Sequence, residues 1–485
     1  MARGRRSLIS LLSLFVTAAT LVAGSSATAA GDDSPSVRLI APLSSMTVRR
    51  TEGYPAYIDP GVLMASARGA WDIRAVRPFG DEARAWQFVD GSAGRQLPTG
   101  MLDDLRGLAG FFRVTMTDEQ GDVVVQRSRR FCPGSSDVRI NGQGPLLATY
   151  PRNCWMSPFA RGTVWGIDHG WATSAFGWGG MKFHGPDGDY TLRLHIAPAF
   201  QRFFAVAEGD GRVSVQIRIK TTEGGGDCPD CPIPKPPQSR TTGYPVNGPL
   251  GFRPTVVDPA AGTLPDLAAL PAFSISLEQR GSRERIAFAA TVWNAGPAPM
   301  LVEGFRRGEA EVMDAYQYFF DGPEVTGRAR VGEMVYHRKQ GHFHWHFLQF
   351  ARYSLLDANL QPIGISKKQS FCLVPTDAID LTVPGAEWRP GEGGLGTSCG
   401  SGPTDQWIRE TLQAGWGDTY FQVAGQSLDV TGLPNGIYHL ATEANPDGLL
   451  YEESMDNNLE LRKIRLGGSP GERTLTVFPW HGMDI

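Results

Sequence analysis

The run Gly341-His342-Phe343-His344-Trp345-His346-Phe347 puts three of the chain's nine histidines within five positions, at i, i+2 and i+4. On an extended strand, alternate side chains share a face, and Cβ atoms two residues apart stand roughly 6–7 Å from one another. Neutral imidazoles at that spacing can converge on one metal ion through bonds of about 2 Å. Phe343, Trp345 and Phe347 fall on the opposite face. The pattern therefore predicts a strand that buries three aromatics in a core and turns three imidazoles toward a cleft. A polar strand face that merely happens to carry histidine is the competing reading, and the tripling of so rare a residue weighs against it. Imidazole suits copper, zinc, iron or nickel, with copper the tightest divalent binder, so the residues leave the metal open. Three nitrogens with open positions fit a catalytic ion better than a closed structural one. A zinc hydrolase on these histidines lacks the helical HExxH pattern.

The elements that would position such a strand are themselves strand-like. Tyr190, Leu192, Leu194 and Ile196 alternate with Thr191, Arg193 and His195, and Val213, Val215, Ile217 and Ile219 alternate with Ser214, Gln216, Arg218 and Lys220. Strict alternation is the period of a half-buried strand. Phe112-Val114-Met116 and Val123-Val125 flank Asp118-Glu119-Gln120-Gly121, a hairpin pattern. Further on, Ile286, Phe288, Ala290 and Val292 alternate with Ala287, Ala289 and Thr291, and Asn445-Pro446-Asp447-Gly448 marks a turn between two strand-like runs. The expected fold is all-β. An N-terminal β-sandwich-like domain spans 31–222, and a Gly/Pro-rich linker spans 223–245. A C-terminal β-sandwich domain spans 246–467 and carries the histidines, and 468–485 is a short tail with no assigned element. A chain of 485 residues is too long for one ordinary core, in keeping with this division. His169, His184 and His195 are scattered and read as structural, and the N-terminal domain shows no ligand or nucleophile cluster.

Compartment follows from the ends and the cysteines. Arg3, Arg5 and Arg6, the apolar run from Leu8 to Val22 and the small residues Ala27-Thr28-Ala29 form the pattern of a secretory signal peptide over 1–30. The apolar run is too short for a membrane anchor, and Arg5-Arg6 leaves the export route, Sec or twin-arginine, open. The expected protein is secreted and extracellular, with no membrane partner after signal cleavage. Six cysteines in an oxidising compartment predict disulfides, with Cys132–Cys154 and Cys372–Cys399 preferred because each pair lies within one domain. Cys228-Pro-Asp-Cys231 reads as a local linker bridge. Lys+Arg at 46 against Asp+Glu at 50 gives a net charge of −4, which offers no broad basic footprint and argues against a nucleic-acid partner.

Around the histidines the chain resembles the lysyl oxidase family. The likeness runs from Leu264-Pro265-Asp266-Leu267 to Asp456-Asn457-Asn458. It takes in the HxHxH run, Phe350-Ala351-Arg352-Tyr353-Ser354-Leu355-Leu356-Asp357, Lys368-Gln369-Ser370-Phe371-Cys372-Leu373, Gly417-Asp418-Thr419-Tyr420 and Gln426-Ser427-Leu428-Asp429-Val430-Thr431. Several motifs in order are more specific than any one of them. The N-terminal domain lies outside the resemblance and does not look like the extensions of animal enzymes. The resemblance implies copper(II) on His342, His344 and His346. It also implies lysine tyrosylquinone made from Lys368 and Tyr420, with Lys367 as the decoy for Lys368. The implied reaction is oxidative deamination of primary amines, either peptidyl lysine or small amines, by O2, giving aldehyde, ammonia and hydrogen peroxide. Asp418, two residues from Tyr420, is the candidate general base, with a buried structural carboxylate as its plain alternative. The resemblance further suggests calcium held by Asp266, the Leu267 carbonyl, Glu452, Asn457 and Asn458, although Ser454 stands where animal members have Asp. The alternative function is a secreted metal-binding protein that kept the fold and lost the chemistry. The presence of both Lys368 and Tyr420 speaks against it.

Overall fold

Alternation along the chain becomes alternation of burial. In the strand Gly188–Ile196, Tyr190, Leu192, Leu194 and Ile196 are buried while Arg193 is exposed. In Arg212–Thr222, Val215, Ile217 and Ile219 are buried between exposed neighbours. The computed structural model describes residues 36–89, 94–134, 137–154, 157–177, 180–222, 248–250, 253–256, 258–338, 343–366, 368, 370–421 and 426–485. The expected signal segment, the linker, Cys228, Cys231, His342 and Lys367 fall outside these residues. The fold is all-β. Seven sheets and one short helix, Pro198–Phe203, make up the described regular structure.

Residues 36–222 form four of the sheets. The widest places Ser45–Thr51, Arg212–Thr222, Gly188–Ile196, Leu108–Thr117 and Val123–Phe131 side by side. The last two are the expected hairpin, paired antiparallel. Behind this sheet Trp71, Phe111, Phe112, Phe131 and Phe204 form an aromatic cluster, with Trp71 edge-on to Phe204 at 5.0 Å and Phe111 stacked on Phe131 at 5.0 Å. Cys132 and Cys154 are bridged, with a Cα separation of 5.7 Å.

Residues 248–485 form the other three sheets. One is Trp345–Phe347, Glu324–Tyr336, Val312–Asp321, Met300–Arg306 and Trp407–Leu412 in order. The second is built on Arg283–Asn294, a long strand buried on both faces, which pairs with Trp416–Tyr420. The third continues through Gly436–Ala444, Leu459–Ser469 and Glu472–Val477. The segment read as a bare tail is thus partly strand: Glu472–Val477 closes a hairpin on Leu459–Ser469, and Trp480 beyond it packs at 4.7 Å from Phe79 and 5.8 Å from Phe159. The Asn445–Gly448 turn forms as expected, with the Gly448 N–H on the Asn445 carbonyl at 3.0 Å and Asn445 at φ 44°.

The two halves meet along the segment that follows Asp377–Ala378. Arg161 N–H donates to the Ile379 carbonyl at 2.6 Å, and Leu381 N–H donates to the Gly162 carbonyl at 2.9 Å. Tyr150 stacks on Trp388 at 5.6 Å, Arg389 Nε donates to the Tyr150 carbonyl at 2.8 Å, and the Arg389 guanidinium pairs with Asp137. Asp377–Ala378 in turn pairs with Trp416–Tyr420. The N-terminal half therefore braces the strand that carries Asp418 and Tyr420.

Inside the C-terminal half, Glu303 and Arg409 face each other across paired strands, both fully buried, with Arg409 Nη2 2.7 Å from Glu303 Oε1. Removing one member of such a pair leaves the other charged and undersolvated. Glu303→Ala is expected to cost about 3–5 kcal/mol in urea unfolding of the full chain. A loss well below 1 kcal/mol would show that the Gly248 and Gly394 carbonyls suffice for the guanidinium.

Candidate active site

The histidine strand is shorter than its pattern suggests. Only Trp345–Phe347 is regular, with Val335 opposite His346 on the strand Glu324–Tyr336. Trp345 and Phe347 are fully buried, as expected, but Phe343 is 57% exposed. The expectation of three buried aromatics fails at Phe343 because the pleat begins two residues later, and alternation does not extend to a residue outside it. His344 sits in the bend before the strand. Even so, His344 and His346 converge, with their Nε2 atoms 2.8 Å apart. Since His342 lies outside the described residues, two of the three predicted ligands are in view. Among the described residues no group of three His, Cys, Asp or Glu side chains is arranged to hold an ion. The paired Nε2 atoms are nonetheless the donor chemistry a copper or zinc ion takes.

The other edge of the histidine strand joins the lysine segment. Phe347 N–H donates to the Phe371 carbonyl at 2.7 Å and Phe371 N–H returns to the Phe347 carbonyl at 2.9 Å, while Trp345 N–H donates to the Cys399 carbonyl at 2.9 Å. Cys372 and Cys399 are bridged, with a Cα separation of 5.9 Å. Lys368, three residues before Phe371, places Nζ 4.0 Å from the centre of the Tyr420 ring and donates to the Ser370 carbonyl at 3.1 Å. The Tyr420 hydroxyl donates to the Cys372 carbonyl at 2.9 Å and accepts the Cys372 N–H at 3.0 Å. Phe371 stands edge-on to the ring at 5.1 Å. Asp418 and Tyr420 share the strand Trp416–Tyr420 at i and i+2, so both project to one face.

Burial sets the electrostatics of this group. Desolvation pulls the Lys368 ammonium down to about 8, and the nearby Asp418 carboxylate opposes that shift. Asp418 is driven well above the usual carboxylate range by its own burial, with the Lys368 charge holding it back. The Tyr420 phenol is raised by burial and by the carboxylates of Asp418 and Glu410, so it stays protonated at neutral pH. The cluster can hold a neutral amine against a phenol ring, beside a carboxyl group able to take or give a proton.

Three residues here were not singled out by sequence reasoning. Glu410 is fully buried, raised by that burial, and its Oε2 accepts the Leu373 N–H at 3.0 Å. His337 lies with its ring 4.3 Å from that of His346, and its N–H donates to the His344 carbonyl at 3.0 Å. Ser370 Oγ is 3.1 Å from both His346 Nδ1 and His337 Nε2. Ser370 sits inside the quoted motif and could have been flagged there. Glu410 reaches the site only through the pairing of distant strands, which no local spacing announces, whereas His337 is carried there by the hairpin that leads into the histidine strand.

A second cluster gathers Asp266, Glu452, Asn457 and Asn458. Asn457 Nδ2 donates to Asp266 Oδ2 at 3.0 Å, Asn458 Nδ2 to Glu452 Oε1 at 2.8 Å, and Leu267 N–H to Glu452 Oε2 at 3.0 Å. Asp266 Oδ1, Asn457 Oδ1 and Asn458 Oδ1 are buried without a hydrogen-bond partner among the described residues. Orphaned buried oxygens call for a cation or water, and an all-oxygen donor set suits calcium.

The family model for lysyl oxidase matches residues 324–472, which include the histidine strand, Lys368, Asp418 and Tyr420. No curated protein matches the chain.

A buried lysine with a lowered pKa links folding to protons. Between about 8 and the ordinary value of 10.5, the unfolded chain holds a proton on Lys368 that the folded chain does not. Stability therefore rises with pH across that window, and the penalty of charging the buried amine is present in full below it. Lys368→Met should remove this slope, read as the difference between wild-type and variant unfolding free energies from pH 7 to 11. Parallel curves would mean that the amine is solvated.

Proposed function

We propose that this chain, whose residues 324–472 match the family model for lysyl oxidase, is a secreted, copper-dependent oxidase of primary amines. Its substrate is peptidyl lysine or a small amine. One amine, one O2 and one water give an aldehyde, ammonia and hydrogen peroxide. The observation that carries the proposal is Lys368 Nζ at 4.0 Å from the Tyr420 ring centre, with Ser370 bonded to both Lys368 Nζ and His346 Nδ1. The two disulfides and the N-terminal signal pattern favour an extracellular setting. No described helix is long and apolar enough to cross a membrane.

Copper, held by His342, His344 and His346, would supply the redox chemistry with O2 that converts Tyr420. Lysine tyrosylquinone, the cross-linked product of Lys368 and Tyr420, would supply the carbonyl and electron sink for the substrate amine. The chain's own residues prepare for both. The Tyr420 ring is fixed at its hydroxyl by the Cys372 backbone and along its edge by Phe371. The Lys368 amine is steered toward the ring by the Ser370 carbonyl, and burial lowers it to about 8, which raises the neutral, nucleophilic fraction above that of an ordinary lysine. Asp418, raised by burial, has the location and proton affinity to remove the substrate's α-proton and later return it. The cluster of Asp266, the Leu267 carbonyl, Glu452, Asn457 and Asn458 is assigned to calcium, supported by its three unpartnered buried oxygens.

Copper-loaded full-length protein should release peroxide when given primary amines, and a digest should contain one joined peptide holding Lys368 and Tyr420. Tyr420→Phe and Lys368→Arg should abolish both signals, while Lys367→Arg should leave them near wild type. Peroxide release without the joined peptide would refute the cross-link, and the absence of both would refute the enzyme. Calcium at a hundred times its dissociation constant should stabilise the chain by about 2.7 kcal/mol, seen as a higher melting temperature. Asp266→Asn should lose this response, and an equal response in that variant would move the ion elsewhere.

A further inference from the structure

Ser370 touches both parts of the site. Its carbonyl accepts from Lys368 Nζ at 3.1 Å, and its Oγ lies 3.1 Å from His346 Nδ1 and 3.1 Å from His337 Nε2. Ser370 and His346 are 7% and 2% exposed, so bulk water does not compete for these bonds. We propose that the Ser370 hydroxyl is a positioning group that fixes the tautomer of His346, presenting Nε2 bare to the metal. The inference rests on the copper reading above.

The direction of the hydrogen bonds follows from what a metal requires. His346 Nε2 faces His344 Nε2 at 2.8 Å, so Nε2 is the nitrogen aimed at the ion. A ligating nitrogen carries no proton, so the ring proton of neutral His346 belongs on Nδ1. Nδ1–H then donates to Ser370 Oγ, and the Ser370 hydroxyl has its own hydrogen left to donate to His337 Nε2. His337, with Nε2 as acceptor, carries its proton on Nδ1. The opposite polarity would have Ser370 donate to His346 Nδ1, which forces the proton onto Nε2 and blocks the ligand. The metal-ready polarity therefore requires His337 Nε2 to be the acceptor at the far end of the chain. This makes His337 the support of a ligand and not itself a ligand. The same serine holds the Lys368 amine through its main chain, so the residue that orients the imidazole also sets where the amine stands relative to the metal.

Binding of Co2+, Zn2+ and Cu2+ to the metal-free full-length chain, measured by competition with a chelating dye, tests this without reference to activity. Ser370→Ala should weaken binding about 10- to 100-fold, the usual effect of removing an outer partner of a ligating histidine. Ser370→Thr keeps the hydroxyl and should stay near wild type. His337→Phe should also weaken binding, and Ser370→Ala with His337→Phe should be no worse than Ser370→Ala alone, because one chain of bonds is broken in each case. Urea midpoints identify any variant whose loss reflects misfolding, and in ¹⁵N-histidine spectra of the zinc-loaded protein the His346 proton should sit on Nδ1. Wild-type affinity in Ser370→Ala, additive losses in the double variant, or a His346 proton on Nε2 would overturn the proposal. A loss in His337→Phe far larger than in Ser370→Ala would make His337 a ligand instead. If the wild-type chain bound none of the three ions, the copper reading itself would fail, an outcome distinct from these.

Discussion

Two backbone hydrogen bonds between Phe347 and Phe371 connect everything the site contains. On one side of this pair the chain runs back through His346 and His344. On the other it runs back to Lys368 and forward to Cys372, whose main chain grips the Tyr420 hydroxyl. Both phenylalanine side chains are fully buried, so the pairing is protected from water and backed by the largest core of the C-terminal half. A main-chain ladder is a sound joint for this purpose, because its spacing is set by peptide geometry and not by flexible side chains. The bridge from Cys372 to Cys399 restrains the lysine segment, and Cys399 in turn accepts from Trp345, the residue between the two described histidines.

The same burial that fixes the geometry tunes the chemistry. A lysine and an aspartate in water would form a charged pair, and a tyrosine beside them would be of little consequence. Here desolvation moves Lys368 toward the neutral amine and Asp418 toward the neutral acid, while their mutual attraction pulls each the other way. Burial thus draws both groups away from the charged pair they would form in water, the kind of perturbation that marks a candidate acid–base group. Glu410 adds a second buried carboxyl group, held by the Leu373 N–H and contributing to the elevation of the Tyr420 phenol. Buried polar groups of this kind weaken a core, and their concentration around one tyrosine marks where stability gives way to function.

How far the sequence could be read depended on whether the information was local. Strand positions such as Leu192, Leu194 and Ile196 were legible because side-chain alternation is a property of the strand itself. The histidine run read as a strand with one aromatic and one imidazole face, and that pattern overreached at Phe343, since composition does not reveal where the pleat starts. Lys368 and Tyr420 stand 52 residues apart (420 − 368), and nothing in their spacing joins them. Their pairing came from resemblance, and the structure puts amine and ring in contact. Glu410 stayed silent because it acquires its neighbours through long-range pairing, and His337 because it meets His344 and His346 only once the hairpin between Glu324–Tyr336 and Trp345–Phe347 closes. The strand in the final segment, Glu472–Val477, went unread because only the adjacent edge of Leu459–Ser469 gives it a partner.

The N-terminal half has no chemistry of its own in the sequence, but its contacts give it a mechanical part. It holds the segment between Asp377 and Arg389 from outside, through Arg161, Gly162, Tyr150 and Asp137. That segment returns to pair with Trp416–Tyr420, and Thr376 Oγ1 accepts the Thr419 N–H at 2.8 Å, between Asp418 and Tyr420. An edge strand without such backing frays readily. Fraying here would act directly on Tyr420, whose ring lies against the Lys368 amine. The Phe159 contacts with Phe273 and Trp480 extend the brace to the opposite end of the same sheet. A two-residue strand, Asp377–Ala378, thereby becomes a stable neighbour for the site. The rigidity of the Lys368–Tyr420 contact is supplied partly from outside residues 324–472, the span that matches the lysyl oxidase model.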